Sequence, residues 1–186
     1  KILKKINNSS LLKIHLERIK KSKNISKLVI ATTNENESEK IVKIGINSKI
    51  ESYRGSLKNV LKRFYDISVV EQPDWIVRLT SDCPLIDPDL IDEIVQFSVN
   101  NDFDYVSNTL KPSYPDGLDV EVFKNKALKV AYKNASLKSE QEHVTPYIWK
   151  NSTFFGKDKF MSANYKCKNN FSKYRLTVDY VEDLNL

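Results

Sequence analysis

Two aspartates follow strand-like segments and have the chemistry of a metal site. Asp82 comes shortly after the apolar run "WIVRL", and Asp179 ends the segment "RLTVD". Ligands of open parallel sheets bind at the carboxyl ends of the strands, and Mg²⁺ takes one or two carboxylates, with waters and substrate phosphates completing its coordination. A lone aspartate more often caps a turn, but a second strand-end carboxylate favours a shared metal. Only the fold decides whether the two converge.

A second candidate is the segment "YRGS", which follows a short predicted strand and precedes a predicted helix. It contains Arg54, Gly55 and Ser56. Glycine allows close approach of a ligand, and a helix N-terminus favours anions. We therefore expect a nucleotide contact here, although an ordinary turn with a helix cap has the same sequence.

Acidic residues and a histidine form the third group. In "LDVEVF", after a Pro-Asp-Gly turn, the alternation sends Asp119 and Glu121 to one strand face. Such a face is usually just solvated, but beside a cleft it would hydrogen-bond substrate hydroxyls. His143, near a predicted helix start, has the chemistry to bind an acidic substrate, whereas a lone histidine is more often structural.

The elements that position these residues alternate between amphipathic helices and short apolar strands. Ser10 precedes a helix with an apolar face, and Asp87 and Pro88 are a natural N-cap and first helical residue. Further helices are predicted for "ENESEKIVKIGI", "SLKNVLKRFYDI", "KNKALKVAYKNA" and "SEQEHVTPYIWK", and strands for "KLVIATT", "KIESY", "WIVRL", "FDYVSN", "LDVEVF" and "KYRLTVD". This alternation predicts an α/β fold with a mostly parallel sheet flanked by helices.

Composition limits the classes of protein. A chain of 186 residues fits one domain. The net charge of +6 comes from lysines spread along the sequence, which disfavours nucleic-acid binding. Two cysteines, no secretory signal and no apolar run long enough to cross a bilayer lead us to expect a cytoplasmic protein without a membrane partner.

Eight segments together resemble a known family. They are "KILKKI", "VIATT", "YRGSLKNVLKRFY", "IVRLTSDCPLIDPDLID", "DYVSNTL", "YPDGLDVEVF", "EQEHVTPYI" and "RLTVDYVEDL". Their order and content resemble the cytidylyltransferase-like family of spore-coat polysaccharide biosynthesis, related to the 3-deoxy-manno-octulosonate and acylneuraminate cytidylyltransferases. The resemblance covers most of the chain, and "TSDCPLIDP" with "YPDGLDVEVF" carries most of its specificity.

The resemblance implies a Rossmann-like, GT-A-like nucleotidyltransferase fold. It also implies a reaction in which a hydroxyl of an acidic sugar attacks the α-phosphate of CTP and releases pyrophosphate with Mg²⁺ assistance, and it suggests a homodimer. The implied metal ligands are Asp82, which is also catalytic, and Asp179. The implied nucleotide contacts are Arg54, Ser56 and Thr80, and the implied sugar contacts are Asp116, Asp119, Glu121, Glu142 and His143.

Lys1 matches the last residue of the family's phosphate-binding loop, which has the form R-x-G-S-x-R-L-P-G-K. The resemblance therefore implies that Lys1 is a catalytic phosphate ligand. It also implies that residues 1–186 form a single nucleotidyltransferase domain that lacks, in this sequence, the family's N-terminal strand and phosphate-binding loop, either because the full-length protein has them or because the chain is truncated. Two alternatives stay open: transfer of another nucleotide, or a non-catalytic module that binds a nucleotide or sugar.

Overall fold

The computed structural model describes residues 1–180 and 182–184 of the chain. The strands are β1 (Lys5–Ile6), β2 (Ser9–Ser10), β3 (Val29–Thr33), β4 (Glu51–Gly55), β5 (Trp75–Arg78), β6 (Tyr105–Ser107), β7 (Glu121–Lys124) and β8 (Ser162–Asn164). The α-helices are α1 (Leu11–Ile19), α2 (Glu39–Asn47), α3 (Val60–Glu71), α4 (Pro88–Asn100), α5 (Asn125–Asn134), α6 (Lys138–His143) and α7 (Pro146–Lys150). Single turns of 3₁₀ helix cover Asn36–Ser38, Thr153–Phe155 and Glu182–Leu184.

The strands form one four-stranded sheet and two pairs. In the larger sheet the order is β5-β7-β6-β8, and β3 pairs with β4 in parallel. Strands β5, β6 and β8 run in the same direction, whereas β7 is antiparallel to both of its neighbours. No helix lies between β6 and β7, so their connection is not the helical crossover that joins parallel strands. The predicted α/β fold with helices flanking parallel strands is confirmed.

Two of the three helix starts predicted from the sequence have the expected N-cap residue in the structure. The Ser10 side chain accepts from the amide of Lys13 at the start of α1, and Asp87 caps α4 with Pro88 in its first turn. The third helix, predicted to start near Ser56, instead begins at Val60. Asn59 is its cap, accepting from the amide of Lys62 at 2.8 Å, and asparagine is among the strongest N-cap residues.

The predicted final strand, "KYRLTVD", is wrong. Apart from an isolated bridge between Asp116 and Arg175, this segment joins no sheet. It passes between two loops instead, because the amide of Leu176 donates to the Asp116 carbonyl at 2.6 Å and that of Val178 donates to the Asp82 carbonyl at 3.0 Å. The partners of its main chain are therefore loops and not a neighbouring strand.

The core holds α1 firmly against the rest of the fold. Leu12 and Leu16 pack in one cluster with Ile30 of β3, and Ile19 packs in a second cluster with residues of α4 and of strands β6 and β7. A helix buried on this scale keeps one position relative to the sheets. Among residues 1–180 and 182–184, no helix has the length and apolar character needed to cross a membrane.

Candidate functional site

Asp82 lies in a tight turn that begins just after β5. The amide of Cys83 donates to the Thr80 carbonyl at 3.2 Å, and the Thr80 hydroxyl lies 3.3 Å from the Cys83 sulfur. Cys83 is buried, and burial raises the pKa of its thiol to about 12, so that it stays neutral at pH 7. The cysteine anchors the turn from inside, while the Asp82 side chain remains 41% exposed at the end of the strand.

Asp179 approaches Asp82 from the carboxyl-terminal segment. The Oδ1 of Asp179 lies 2.6 Å from the Nζ of Lys1, and the Oδ2 of Asp82 lies 3.8 Å from the same nitrogen. The Thr177 hydroxyl donates to the other oxygen of Asp179 at 2.6 Å. The hydrogen bonds from Lys1 and Thr177 hold the pKa of Asp179 below its ordinary value. The two carboxylates that the sequence singled out therefore converge on one positive charge.

The donor chemistry of this pair fits a magnesium ion. Both groups are carboxylates, both side chains are about two-fifths exposed, and both already face a common cation, the Lys1 ammonium. Within the described part of the chain no cluster of three or more His, Cys, Asp or Glu side chains forms a metal cage. Two carboxylates nevertheless suit Mg²⁺, which usually keeps waters and substrate phosphates as its other ligands.

Two further acidic residues add negative charge to this edge of the fold, where Lys1 and Arg175 supply positive charge. Asp119 is half-buried, and its burial, together with the charge of Asp116 and smaller effects of Glu121 and Asp82, raises its pKa to about 6. Asp116 is exposed, and its carbonyl accepts from the amide of Leu176. A cation, or hydroxyl groups that donate hydrogen bonds, would relieve the repulsion among these carboxylates.

Glu121 lies on β7, and its side chain contacts other side chains of the same protein. Its carboxylate is paired with Arg78 and accepts hydrogen bonds from the Tyr105 hydroxyl at 2.7 Å and the Thr145 hydroxyl at 2.5 Å. The residue is only 9% exposed. Both carboxylate oxygens are thus engaged by side chains of β5, β6 and the turn before α7, and its predicted sugar contact stays a prediction.

Glu142 and His143 are exposed at the end of α6, next to an unusual turn. Val144 is fully buried and has φ of 70° and ψ of −57°, while the amide of Thr145 donates to the His143 carbonyl at 2.8 Å. This is a γ-turn of the strained type, rare for a β-branched residue. Through Thr145 the turn is tied to Glu121, so His143 is fixed relative to β7.

Arg54 and Ser56 lie at the carboxyl ends of the parallel strands β3 and β4. Arg54 donates to the carbonyls of Thr33, Asn34 and Glu35 and pairs with Glu39 at 3.1 Å, and therefore braces the loop after β3. The Ser56 hydroxyl accepts from the amide of Asn59 at 3.0 Å. No hydrogen bond or ion pair among the described residues joins either side chain to Asp82, so their nucleotide contacts stay predictions.

Two residues without a predicted role contact the Asp82 turn. His15 Nδ1 lies 2.8 Å from the Cys83 carbonyl, and Arg18 Nε donates to the Ile86 carbonyl at 2.7 Å. Both belong to α1. Their only signal in the sequence is a histidine on the apolar face of that helix, beside Leu12 and Ile19, which ordinary core packing also explains.

The sequence of this chain is similar to known proteins. A family model described as cytidylyltransferase matches residues 1–185. The chain is 40% identical to an uncharacterized protein of Methanocaldococcus jannaschii, over all of this chain and 74% of that protein. It is also 32% identical to the spore coat polysaccharide biosynthesis protein SpsF of Bacillus subtilis, over 98% of this chain and 76% of that protein.

Solved structures similar to this chain also include a cytidylyltransferase. A cytidylyltransferase from Leptospira borgpetersenii matches with a TM-score of 0.92 and 34% identity, over 98% of this chain and 76% of that one. The CMP:2-keto-3-deoxy-manno-octonic acid synthetase complexed with CTP matches with a TM-score of 0.63 over 93% and 87% of the two chains. At 10% identity this second likeness shows the fold alone. From the family match over nearly its whole length and from its closely similar relatives, the chain belongs to the cytidylyltransferase family.

Proposed function

We propose that this protein transfers a cytidylyl group from CTP to a hydroxyl of an acidic sugar, giving a CMP-sugar and pyrophosphate for surface polysaccharide synthesis. The observation that carries the proposal is the convergence of Asp82 and Asp179 on one cation beside the carboxyl end of β5. Membership of the cytidylyltransferase family supports the choice of CTP. The name of the Bacillus subtilis relative supports a role in polysaccharide synthesis. The choice of an acidic sugar rests on the motifs that resemble the 3-deoxy-manno-octulosonate and acylneuraminate cytidylyltransferases.

The residues of the chain take different parts in this reaction. Asp82 and Asp179 would hold Mg²⁺, which supplies positive charge to the phosphates as negative charge develops on them. Lys1 has an ammonium group beside the same carboxylates and would bind a phosphate oxygen of CTP. Asp116 and Asp119 would accept hydrogen bonds from sugar hydroxyls, and Glu142 and His143, both exposed at the end of α6, would contact the sugar as well.

The chain's elements contribute by positioning these groups. The buried Cys83 and the bond from Val178 to Asp82 fix the two carboxylates relative to each other. Catalysis of phosphoryl transfer depends mostly on such positioning and on electrostatic stabilisation. The proposal also includes a cytoplasmic location, where CTP is available, and a homodimer.

The test is pyrophosphate release by the full-length protein with Mg²⁺ and each of the four nucleoside triphosphates. Each nucleotide is combined with a panel of acidic and neutral sugars and with a no-sugar control. We expect release with CTP and an acidic sugar together. Release with another nucleotide would contradict the choice of CTP, and release with neutral sugars alone would contradict the choice of acceptor. Tight CTP binding without release for any sugar would favour a binding module.

A further inference from the structure

We propose that His15 and Arg18 are positioning residues that hold Asp82 in place for the reaction proposed above, on which this inference rests. Neither side chain is among the charged groups around Lys1 and Asp179. Their role would be to fix the main chain of the turn that carries Asp82, and through it the direction of the Asp82 carboxylate.

The first observation is that two side chains of one helix face bind two carbonyls of that turn. His15 and Arg18 are three residues apart on α1 and therefore neighbours on its surface. They reach the carbonyls of Cys83 and Ile86 at 2.8 and 2.7 Å. Asp82 is the residue directly before Cys83, so the backbone of Asp82 has little freedom while both hydrogen bonds are made.

The second observation concerns the proton of His15. A carbonyl oxygen only accepts hydrogen bonds, so the Nδ1 of His15 must carry a hydrogen in this contact. The imidazole is 3% exposed, and desolvation by burial lowers its pKa. His15 therefore acts as a neutral donor at pH 7, and an uncharged side chain with a donor at the same place can replace it.

The third observation is that α1 also holds the segment that carries Lys1. The amides of Leu11 and Leu12, in the first turn of the helix, donate to the carbonyls of Lys4 and Ile2 at 2.9 and 3.0 Å. One buried helix thus binds the main chain on both sides of the contact between Lys1 and Asp82. Its N-terminal amides set the position of one partner, and His15 and Arg18 set the position of the other.

This arrangement matters because the Asp82 turn is otherwise held by short local bonds. Those bonds join Cys83 to Thr80 and Ile86 to Cys83, all within the turn itself. The bond from Val178 comes from a segment that belongs to no helix or strand, rather than from a buried helix. A displacement of about 1 Å in a catalytic group can cost on the order of a hundredfold in rate. Holding the Asp82 turn against the buried helix α1 would therefore directly favour catalysis.

The test compares His15→Asn with His15→Leu in the full-length protein. Asparagine and leucine have nearly the same shape, but only the amide nitrogen of asparagine can donate from near the position of the imidazole Nδ1. Binding of Mn²⁺·CTP is followed by water-proton relaxation, and kcat and KM are measured with CTP and the sugar that the panel identifies. Thermal unfolding establishes that each variant is folded at the assay temperature.

We expect His15→Leu to lose at least about tenfold in kcat and in Mn²⁺·CTP affinity, and His15→Asn to recover most of both. Equal kcat and equal Mn²⁺·CTP affinity for the two folded variants would overturn the proposal. If His15 were only structural, its replacement would change stability, but kcat and affinity would not depend on whether the new side chain can donate a hydrogen bond. If His15→Leu does not fold, Arg18→Met against Arg18→Lys gives the same comparison at a less buried position. If the wild type binds Mn²⁺·CTP but releases no pyrophosphate, the proposed function fails while the binding comparison still decides this inference.

Discussion

The amide of Val178 donates a hydrogen bond to the carbonyl of Asp82, with 3.0 Å between the two atoms. This bond joins residues 96 positions apart in sequence and leaves the next residue, Asp179, beside the Asp82 turn. The two carboxylates then share the ammonium of Lys1. A segment without a regular sheet partner is therefore sufficient to complete a two-carboxylate site.

The position of that segment depends on Gly117. This glycine has φ of 102°, and a Cβ atom added to it would lie 2.7 Å from the Thr177 amide nitrogen, which is main chain and cannot rotate away. We expect Gly117→Ala to reduce the free energy of unfolding by about 2 kcal/mol and to weaken Mn²⁺·CTP binding, because the segment leading to Asp179 must shift.

Gly156→Ala is the matched control for this change. Gly156 also has a positive φ, of 70°, but a Cβ there meets nothing within 4 Å. It should lose about 1 kcal/mol of stability through backbone strain alone and keep Mn²⁺·CTP binding. Wild-type binding by a folded Gly117→Ala variant would contradict the dependence of Asp179 on this contact.

Replacing the buried Glu121 by glutamine tests its role on β7. The substitution keeps the shape but removes the charge that Arg78 requires, while Arg78 remains largely buried at 19% side-chain exposure. Loss of one partner of a buried pair costs about 3 kcal/mol, so urea denaturation should show a loss of this size. If stability were unchanged and only the KM for the sugar rose, Glu121 would be a sugar contact and not a structural carboxylate.

The raised pKa of Asp119 predicts a pH-dependent stability. Folding raises its pKa from 3.8 to about 6, so the folded state binds this proton more tightly and loses stability as the pH rises from about 4 to about 6. Asp119→Asn does not titrate and should be more stable than the wild type above pH 6, by about 1–2 kcal/mol once solvent screening is considered.

The check for Asp119 is chemical denaturation of both proteins between pH 4 and pH 8 without divalent cations. The difference in unfolding free energy should vanish near pH 4, where the wild-type carboxyl is protonated as well. A difference that stays constant over this range would mean that the charge of Asp119 is not repelled in the folded state.

Local patterns in the sequence predicted the fold class and two of the three helix caps. The alternation of apolar strands and amphipathic helices determines an α/β arrangement, and Ser10 and Asp87 have side chains that satisfy helix amides by themselves. Asp82 was singled out because it comes shortly after a predicted strand and because a second carboxylate, Asp179, ends another strand-like segment. These features depend on residues close together in the chain.

Features that depend on distant partners were not predictable. The pattern of "RLTVD" is the same whether its amides bind a strand or, as here, the carbonyls of Asp116 and Asp82. The alternation that paired Asp119 with Glu121 did not indicate that Glu121 is enclosed by Arg78 and Thr145, which come from other elements. The contact of His15 with Cys83 joins residues 68 positions apart, and no spacing rule reveals it.

In the proposed reaction Asp82 and Asp179 together hold the divalent cation that accompanies CTP. The most direct measurement is water-proton relaxation by Mn²⁺·CTP bound to the full-length wild type, to Asp82→Asn and to Asp89→Asn, an exposed aspartate in the first turn of α4 that serves as the control. Because asparagine removes the charge with little change in volume, Asp82→Asn should bind at least about tenfold more weakly with the fold intact. Asp89→Asn should bind as the wild type does. Equal binding by Asp82→Asn and the wild type would contradict a divalent-cation site at Asp82 and Asp179.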